Sequence, residues 1–135
     1  MDDYPIQVRF PMHWGEMDAL GHANNTRYFR WFETARIALF ERLGLRANEP
    51  MEVGPILATT TCDFLRPVVY PANLVVGARV ARVGNTSFLT EYAVARTEAP
   101  GELYARGSGV IVVIDYRTMA KVPVPDEIRA AIDAL

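Results

Sequence analysis

Asn24-Asn25-Thr26-Arg27-Tyr28-Phe29-Arg30-Trp31-Phe32-Glu33-Thr34-Ala35-Arg36-Ile37-Ala38-Leu39-Phe40-Glu41-Arg42-Leu43-Gly44 is the stretch on which the fold turns. Tyr28, Phe32, Ala35, Leu39 and Leu43 recur at helical spacing and make one stripe, while Phe29, Trp31, Ile37 and Phe40 cover much of the rest of the circumference. Asn24 or Asn25 suits the start, because an asparagine side chain accepts from an orphan N–H of the first turn. Gly44 supplies the stop. A helix that is apolar nearly all round is buried on several sides. In a single domain of 135 residues the natural cover is a curved sheet wrapped around it.

The flanking sequence supplies that sheet. Residues 5–11 alternate Ile6, Val8 and Phe10 with Gln7 and Arg9 and end at Pro11, the pattern of a half-buried strand. After the helix, residues 44–55 read as a loop on Gly44, Asn48, Pro50, Gly54 and Pro55. Four strand-like runs follow, at 56–66, 73–83, 86–97 and 103–115, with a turn at Gly84-Asn85. The short Gly/Asn/Pro connections between these runs imply antiparallel neighbours. A last helix is expected over 126–134, where Asp126 and Glu127 suit the positive end of its dipole. The expected class is α+β, with one domain over residues 1–135: a five-stranded antiparallel sheet around one long helix.

Composition excludes several functions. Fourteen basic and 16 acidic residues leave a net charge of −2, so no global positive field draws the chain to nucleic acid or to an anionic membrane. A small basic patch for one anionic ligand is compatible with that balance. The longest aliphatic run, Val110 to Ile114, is far short of the roughly 20 residues that cross a bilayer. The start Met1-Asp2-Asp3-Tyr4 lacks the basic-then-apolar pattern of a secretory signal, so the expectation is a soluble cytoplasmic protein. One cysteine, Cys62, allows neither an internal disulfide nor a cysteine-only zinc site.

The usual nucleophile signatures are missing. Gly107-Ser108-Gly109 lacks the spacing of a nucleophile elbow and lies in a strand pattern. Cys62 sits between Thr61 and Asp63 in another strand and reads as a packing residue. His13 and His22 have no acidic partner at metal-ligand spacing, so no metal site is expected, and no phosphate-loop motif occurs. The segment Trp14-Gly15-Glu16-Met17-Asp18-Ala19-Leu20-Gly21-His22-Ala23-Asn24-Asn25 is different. It gathers two carboxylates, a histidine, two amides and two glycines at the start of the buried helix. Free N–H groups and the dipole there favour the negative charge that develops on a carbonyl oxygen under attack. A neighbouring carboxylate can attack that carbonyl or deprotonate water. A thioester suits such a site, because its thiolate leaving group needs little acid assistance. The alternative is a polar loop in which Asp18 and the asparagines only cap the helix.

This segment, with Thr26, Tyr28 and the following Glu33-x-x-Arg36, resembles the N-terminal signature of the hotdog-fold acyl-CoA thioesterases, closest to the 4-hydroxybenzoyl-CoA thioesterase-like family. The close match covers about 30 residues, and the element order with Asp63-Phe64-Leu65-Arg66-Pro67 extends it over nearly the whole chain. The resemblance places the essential carboxylate, nucleophile or general base, on Asp18 and the carbonyl-polarising backbone N–H on Asn25. It matches Gly21 to the glycine that lets the loop approach the acyl group. His22 and Asn24 fall on positions that vary in the family, and Tyr28 on a tyrosine near the acyl pocket. Many relatives have Asp where this chain has Glu16. Coenzyme A, part of substrate and product and not a cofactor, would place its phosphates near the hairpin of Arg82, Gly84, Asn85, Thr86 and Ser87. Arg66 is a further phosphate partner, or equally a surface arginine. Glu33 and Arg36, spaced i, i+3, are expected to pair with each other.

The resulting expectation is hydrolysis of an acyl-CoA to free acid and thiol. Its competitors are an acyl-carrier-protein thioesterase, a hydratase or dehydratase of acyl thioesters, and a non-catalytic acyl-CoA binding domain. One small domain has little left to enclose coenzyme A, and its sheet has edges to cover. The resemblance implies that two copies pair their sheets edge to edge with the site at the boundary, as a homodimer or a dimer of dimers.

Overall fold

The computed structural model describes residues 1–45 and 50–135. The part of the expected 44–55 loop that contains Asn48 lies outside the described residues. The elements run β1 (Ile6–Pro11), a single 3-10 turn (Trp14–Glu16), α1 (Asn25–Arg42), β2 (Val53–Phe64), β3 (Asn73–Val83), β4 (Ser87–Arg96), β5 (Ala99–Asp115) and α2 (Asp126–Asp133). The five strands form one antiparallel sheet in the order β1-β3-β4-β5-β2. This is the expected α+β hotdog arrangement.

Two expectations need correction. Short connections imply that consecutive strand runs are neighbours, but β2 and β3 are not; β2 pairs with β5 at the far edge of the sheet. The Leu65–Ala72 connection has to pass the ends of β5 and β4. That is about 14 Å at roughly 4.8 Å per strand, within easy reach of eight residues. The connection is held on its way by Ala23 N–H donating to the Val68 carbonyl at 2.8 Å and Met12 N–H to that of Ala72 at 2.8 Å. Strand β2 also begins at Val53, so Gly54 and Pro55 belong to a strand and not to a loop. An edge strand tolerates proline. Gly54 has no room for a side chain: a Cβ there would lie 2.7 Å from Met51 Sδ and 2.9 Å from the Tyr116 ring.

Helix α1 crosses the concave face of the sheet. Its stripe is buried as the periodicity predicts, with Tyr28, Phe32, Ala35 and Leu39 at 2% exposure or less. Trp31 and Phe40 are buried beside it, while Phe29 and Ile37 are half-buried. Arg27, Arg30, Glu33, Thr34, Glu41 and Arg42 face outward, so the sheet covers a wide stripe and not the whole circumference. Phe32 stacks on Tyr92 of β4 with ring centroids 4.9 Å apart and planes at 14°. The same ring occupies the space where a side chain on β5 would point: a Cβ at Gly107 would sit 2.3 Å from Phe32 Cε2 and 2.6 Å from the Thr61 carbonyl oxygen. Gly107→Ala is therefore expected to destabilise the fold by about 1–3 kcal/mol or more through overpacking. A thermal melt showing an unchanged midpoint would count against this account of the core.

The expected Glu33–Arg36 pair is not made. Glu33 bonds Arg30 at 3.1 Å on the solvent side. Arg36 turns inward, lies 7% exposed, and donates to the Tyr92 hydroxyl at 3.4 Å. Three residues of helix rotate by about 300°, so the pair straddles the boundary between the wet and buried faces.

Candidate active site

Asn24 caps α1, its side-chain oxygen accepting from Thr26 N–H at 3.0 Å and from the Thr26 hydroxyl at 2.7 Å. Its amide nitrogen donates to Asp18 Oδ2 at 3.0 Å, and Leu20 N–H donates to Asp18 Oδ1 at 2.8 Å. Each oxygen of the Asp18 carboxylate is thus aimed by its own donor. The Asn24 bond, then the Leu20 bond and the nearby His22, hold the Asp18 carboxyl below the ordinary aspartate value. An ionised carboxylate so held is chemically able to act as a base or a nucleophile.

The loop that carries it is pinned at its neck. Met17 and Ala23 form an isolated bridge, Asp18 N–H donates to the His22 carbonyl at 3.2 Å, and Gly21 N–H to the Asp18 carbonyl at 3.0 Å. Gly21 has φ of +86°, a left-handed conformation that a residue with a Cβ adopts only under strain. Its role in the structure is therefore this reversal. At the helix start, Thr26 N–H is taken by the Asn24 side chain and Arg27 N–H by the Asn24 carbonyl at 3.0 Å. The Asn25 N–H has no acceptor among the described residues. It is left free at the positive end of an 18-residue helix.

Asp18, His22, Asn24, Asn25, Tyr28 and Arg66 share one cleft of about 400 Å³, completed by Leu20, Ala23, Phe64, Leu65 and Pro67. Tyr28 is 2% exposed and sets its ring edge-on to Phe64 at 4.9 Å, with burial raising its phenol above the ordinary tyrosine value. Leu20 at 78%, Phe64 at 50% and Leu65 at 45% exposure give the cleft an apolar rim. Arg66 is bonded to Glu102 at 3.3 Å and lies 5.9 Å from the Tyr104 ring centroid. Sequence reasoning misses Phe64, Leu65 and Pro67 as lining residues. The Asp63–Pro67 run carries part of the resemblance and supplies Arg66 as a candidate, but as a strand end it gives no sign that its other residues line the cleft.

The hairpin residues Gly84, Asn85, Thr86 and Ser87 lie elsewhere. Gly84 N–H closes the turn on the Ser87 carbonyl at 2.7 Å, and Arg129 of α2 donates to the Gly84 and Asn85 carbonyls at 2.7 and 3.2 Å. The Asp18 loop is anchored at the Ala72 end of β3 and the hairpin follows its Val83 end. The length of β3, roughly 35 Å for its 11 residues at about 3.3 Å per residue, separates them in one chain. Cys62 is half-buried, and burial with the neighbouring Asp63 charge pushes its thiol up to about 11. It is a packing residue. Among the described residues no three His, Cys, Asp or Glu side chains converge as a metal set, and no helix is long and apolar enough to cross a membrane.

A sheet curled about one helix, with a carboxylate and a free N–H at that helix's start, defines the hotdog thioester-processing class. The chain belongs to the thioesterase-like superfamily, whose model matches residues 12–132, and it is a thioester hydrolase. It is similar to the PA2801 protein of Pseudomonas aeruginosa, at 38% identity and a TM-score of 0.87, over 96% of this chain and 98% of that one. It is also similar to a thioesterase from Thermus thermophilus solved with coenzyme A and zinc, at 30% identity and a TM-score of 0.84, over 99% and 96% of the two chains. The uncharacterized protein YsmA of Bacillus subtilis is 30% identical over 122 residues, 90% of this chain and 78% of YsmA.

Proposed function

We propose that the chain hydrolyses an acyl-CoA to the free carboxylic acid and coenzyme A, with Asp18 and the Asn25 N–H as the reacting pair. The observation that carries this is their juxtaposition: a carboxylate with both oxygens aimed, beside an N–H without an acceptor, in a cleft with an apolar rim. The thioester carbonyl oxygen accepts from Asn25 N–H, where the helix dipole stabilises the charge that builds during attack. Asp18 either adds to the carbonyl carbon, giving an acyl anhydride that water then cleaves, or takes a proton from the water that adds. In both routes the C–S bond breaks, the thiolate leaves with the electron pair, and the acyl group ends as a carboxylate. The coenzyme A complex of the Thermus relative supports this substrate class.

The functional unit in this reading is two or more copies. Asp18 and the Gly84–Ser87 hairpin are too far apart in one chain for one coenzyme A to meet both unless the second comes from a neighbour. Strand β2 offers the means, being an unpaired edge with Ile56 and Leu57 at 39% and 38% exposure.

The test is release of free thiol from short, long and aromatic acyl-CoAs by the purified protein. Turnover of at least one is expected. Saturable binding without thiol release from any of them would favour a binding domain, and turnover confined to acyl-carrier-protein thioesters would move the substrate to that carrier.

A further inference from the structure

Glu16 is a carboxylate of the loop that the mechanism does not use, and both of its oxygens are engaged. Oε2 accepts from the indole N–H of Trp31 at 2.8 Å, and Oε1 accepts from His13 N–H at 2.7 Å. The Glu16 carbonyl accepts from Asn24 N–H at 3.0 Å. Trp31 is 3% exposed, so its indole N–H has no water to fall back on. Asn24 and Trp31 are seven residues apart, two helical turns on the same face of α1. The loop is thereby tied to the helix at two heights, roughly 10 Å apart at about 1.5 Å per residue. Between these ties and the Val68 carbonyl that holds Ala23, the segment carrying Asp18 closes on itself.

We propose that Glu16 is a positioning residue for hydrolysis, acting through its clamp on Trp31 to hold the Asp18 carboxylate and the Asn25 N–H in register. This rests on the roles given above to Asp18 and Asn25. The chemistry calls for glutamate. An ionised carboxylate offers two acceptor oxygens and no donor, matching two N–H donors that each take a different oxygen. An aspartate is one methylene shorter and would have to give up either the indole or the His13 amide. A glutamine would turn an NH₂ toward one of the two donors. Loss of the clamp leaves a buried indole N–H unsatisfied and frees the neck of the loop. Misplacement by an ångström at the reacting groups costs on the order of a hundredfold in rate.

The experiment compares Glu16→Gln, Glu16→Asp and Trp31→Phe with Asp18→Asn, using the best acyl-CoA from the thiol-release panel. In the Asp18-intact protein each clamp variant is expected to lower kcat by about ten- to a hundredfold with KM within about twofold. Glu16→Gln and Trp31→Phe are also expected to move the acid limb of kcat/KM upward, because a loosened loop weakens the Asn24 bond to the Asp18 carboxylate. A general loss of packing would lower activity and melting temperature with the acid limb unmoved, and is the result a structural role predicts. Trp31→Phe keeps an aromatic ring but removes the donor together with part of the indole's volume, so its melt is read beside its kcat, and a Glu16 variant that fails to fold does not end the test. Wild-type kcat in both Glu16→Gln and Trp31→Phe while Asp18→Asn is inactive would overturn the clamp and leave the Asp18 reading standing. Near-wild-type activity of Asp18→Asn would overturn the reading beneath it.

Discussion

Asp18→Asn and Asp18→Ala are expected to abolish detectable turnover while the protein melts within a few degrees of wild type. General-base catalysis contributes about 10²–10⁴-fold in rate, and a lost nucleophile costs at least as much. The loop should survive, because its neck is held by backbone bonds that do not involve the carboxylate. Asparagine keeps the shape and the acceptor for Leu20 N–H but turns an NH₂ toward the Asn24 amide, so the alanine variant is the cleaner control. The pH profile follows from the same bonds. Asp18 must be ionised to act, and its carboxyl is held below the ordinary value chiefly by Asn24. Activity is therefore fully present above the ordinary aspartate range and is lost only as pH falls through the lowered value. Removing the Asn24 amide with Asn24→Ala should move the acid limb of kcat/KM upward. Stopped assays of thiol release across pH, with melts on the same samples, check both statements. Near-wild-type turnover by Asp18→Ala would exclude it as the reacting group.

The second large effect is recovery of activity by mixing two dead proteins. In the proposed arrangement Asp18→Asn inactivates a site through its loop, and Arg82→Glu, by setting a negative charge where the coenzyme A phosphates would lie, inactivates it at substrate concentrations below KM. If each site takes its loop from one chain and its hairpin from the other, a two-fold symmetric hybrid carries one doubly damaged site and one intact site. Unfolding the two variants together and refolding them at equal amounts should restore about a quarter of wild-type activity, since half the dimers are hybrids with one good site of two. A site built within one chain predicts no recovery at any ratio. Light scattering on the same samples should give a mass of at least twice 15.1 kDa.

The outline of this fold is legible because it is written in local patterns. The period of Tyr28, Phe32, Ala35 and Leu39 locates α1, and Asn24 and Gly44 mark its ends to within two residues. The strand-like runs locate β1, β3 and β4 to within one residue of their ends, while β2 and β5 begin three and four residues before their runs. Strand order is not legible in the same way. The jump of β2 to the far side of β5 depends on where the Leu65–Ala72 connection is tethered, and its tethers are backbone groups of distant segments. The unmade Glu33–Arg36 pair has a similar source: spacing says which side chains can meet, but not which of them the core draws inward. At the site, Asp18, Asn24 and Asn25 stand out because polar groups are concentrated at one helix start. Glu16 does not, since its partner Trp31 is 15 residues away and reads as ordinary packing. Phe64 and Leu65 are hidden because a strand end gives no sign of which cleft it borders.

The two tryptophans sit in opposite surroundings, Trp14 at 71% exposure and Trp31 at 3%. The buried one donates directly to the carboxylate that holds the Asp18 loop. The protein thus carries an intrinsic optical probe in the right place, with a built-in solvent-exposed reference. Replacing Trp14 by phenylalanine leaves a single tryptophan, selectively excited apart from the six tyrosines, whose wavelength and quenching report its contact with Glu16. Whether the Glu16 contact is made in a given variant can then be read directly from the emission, without a label and without waiting for product.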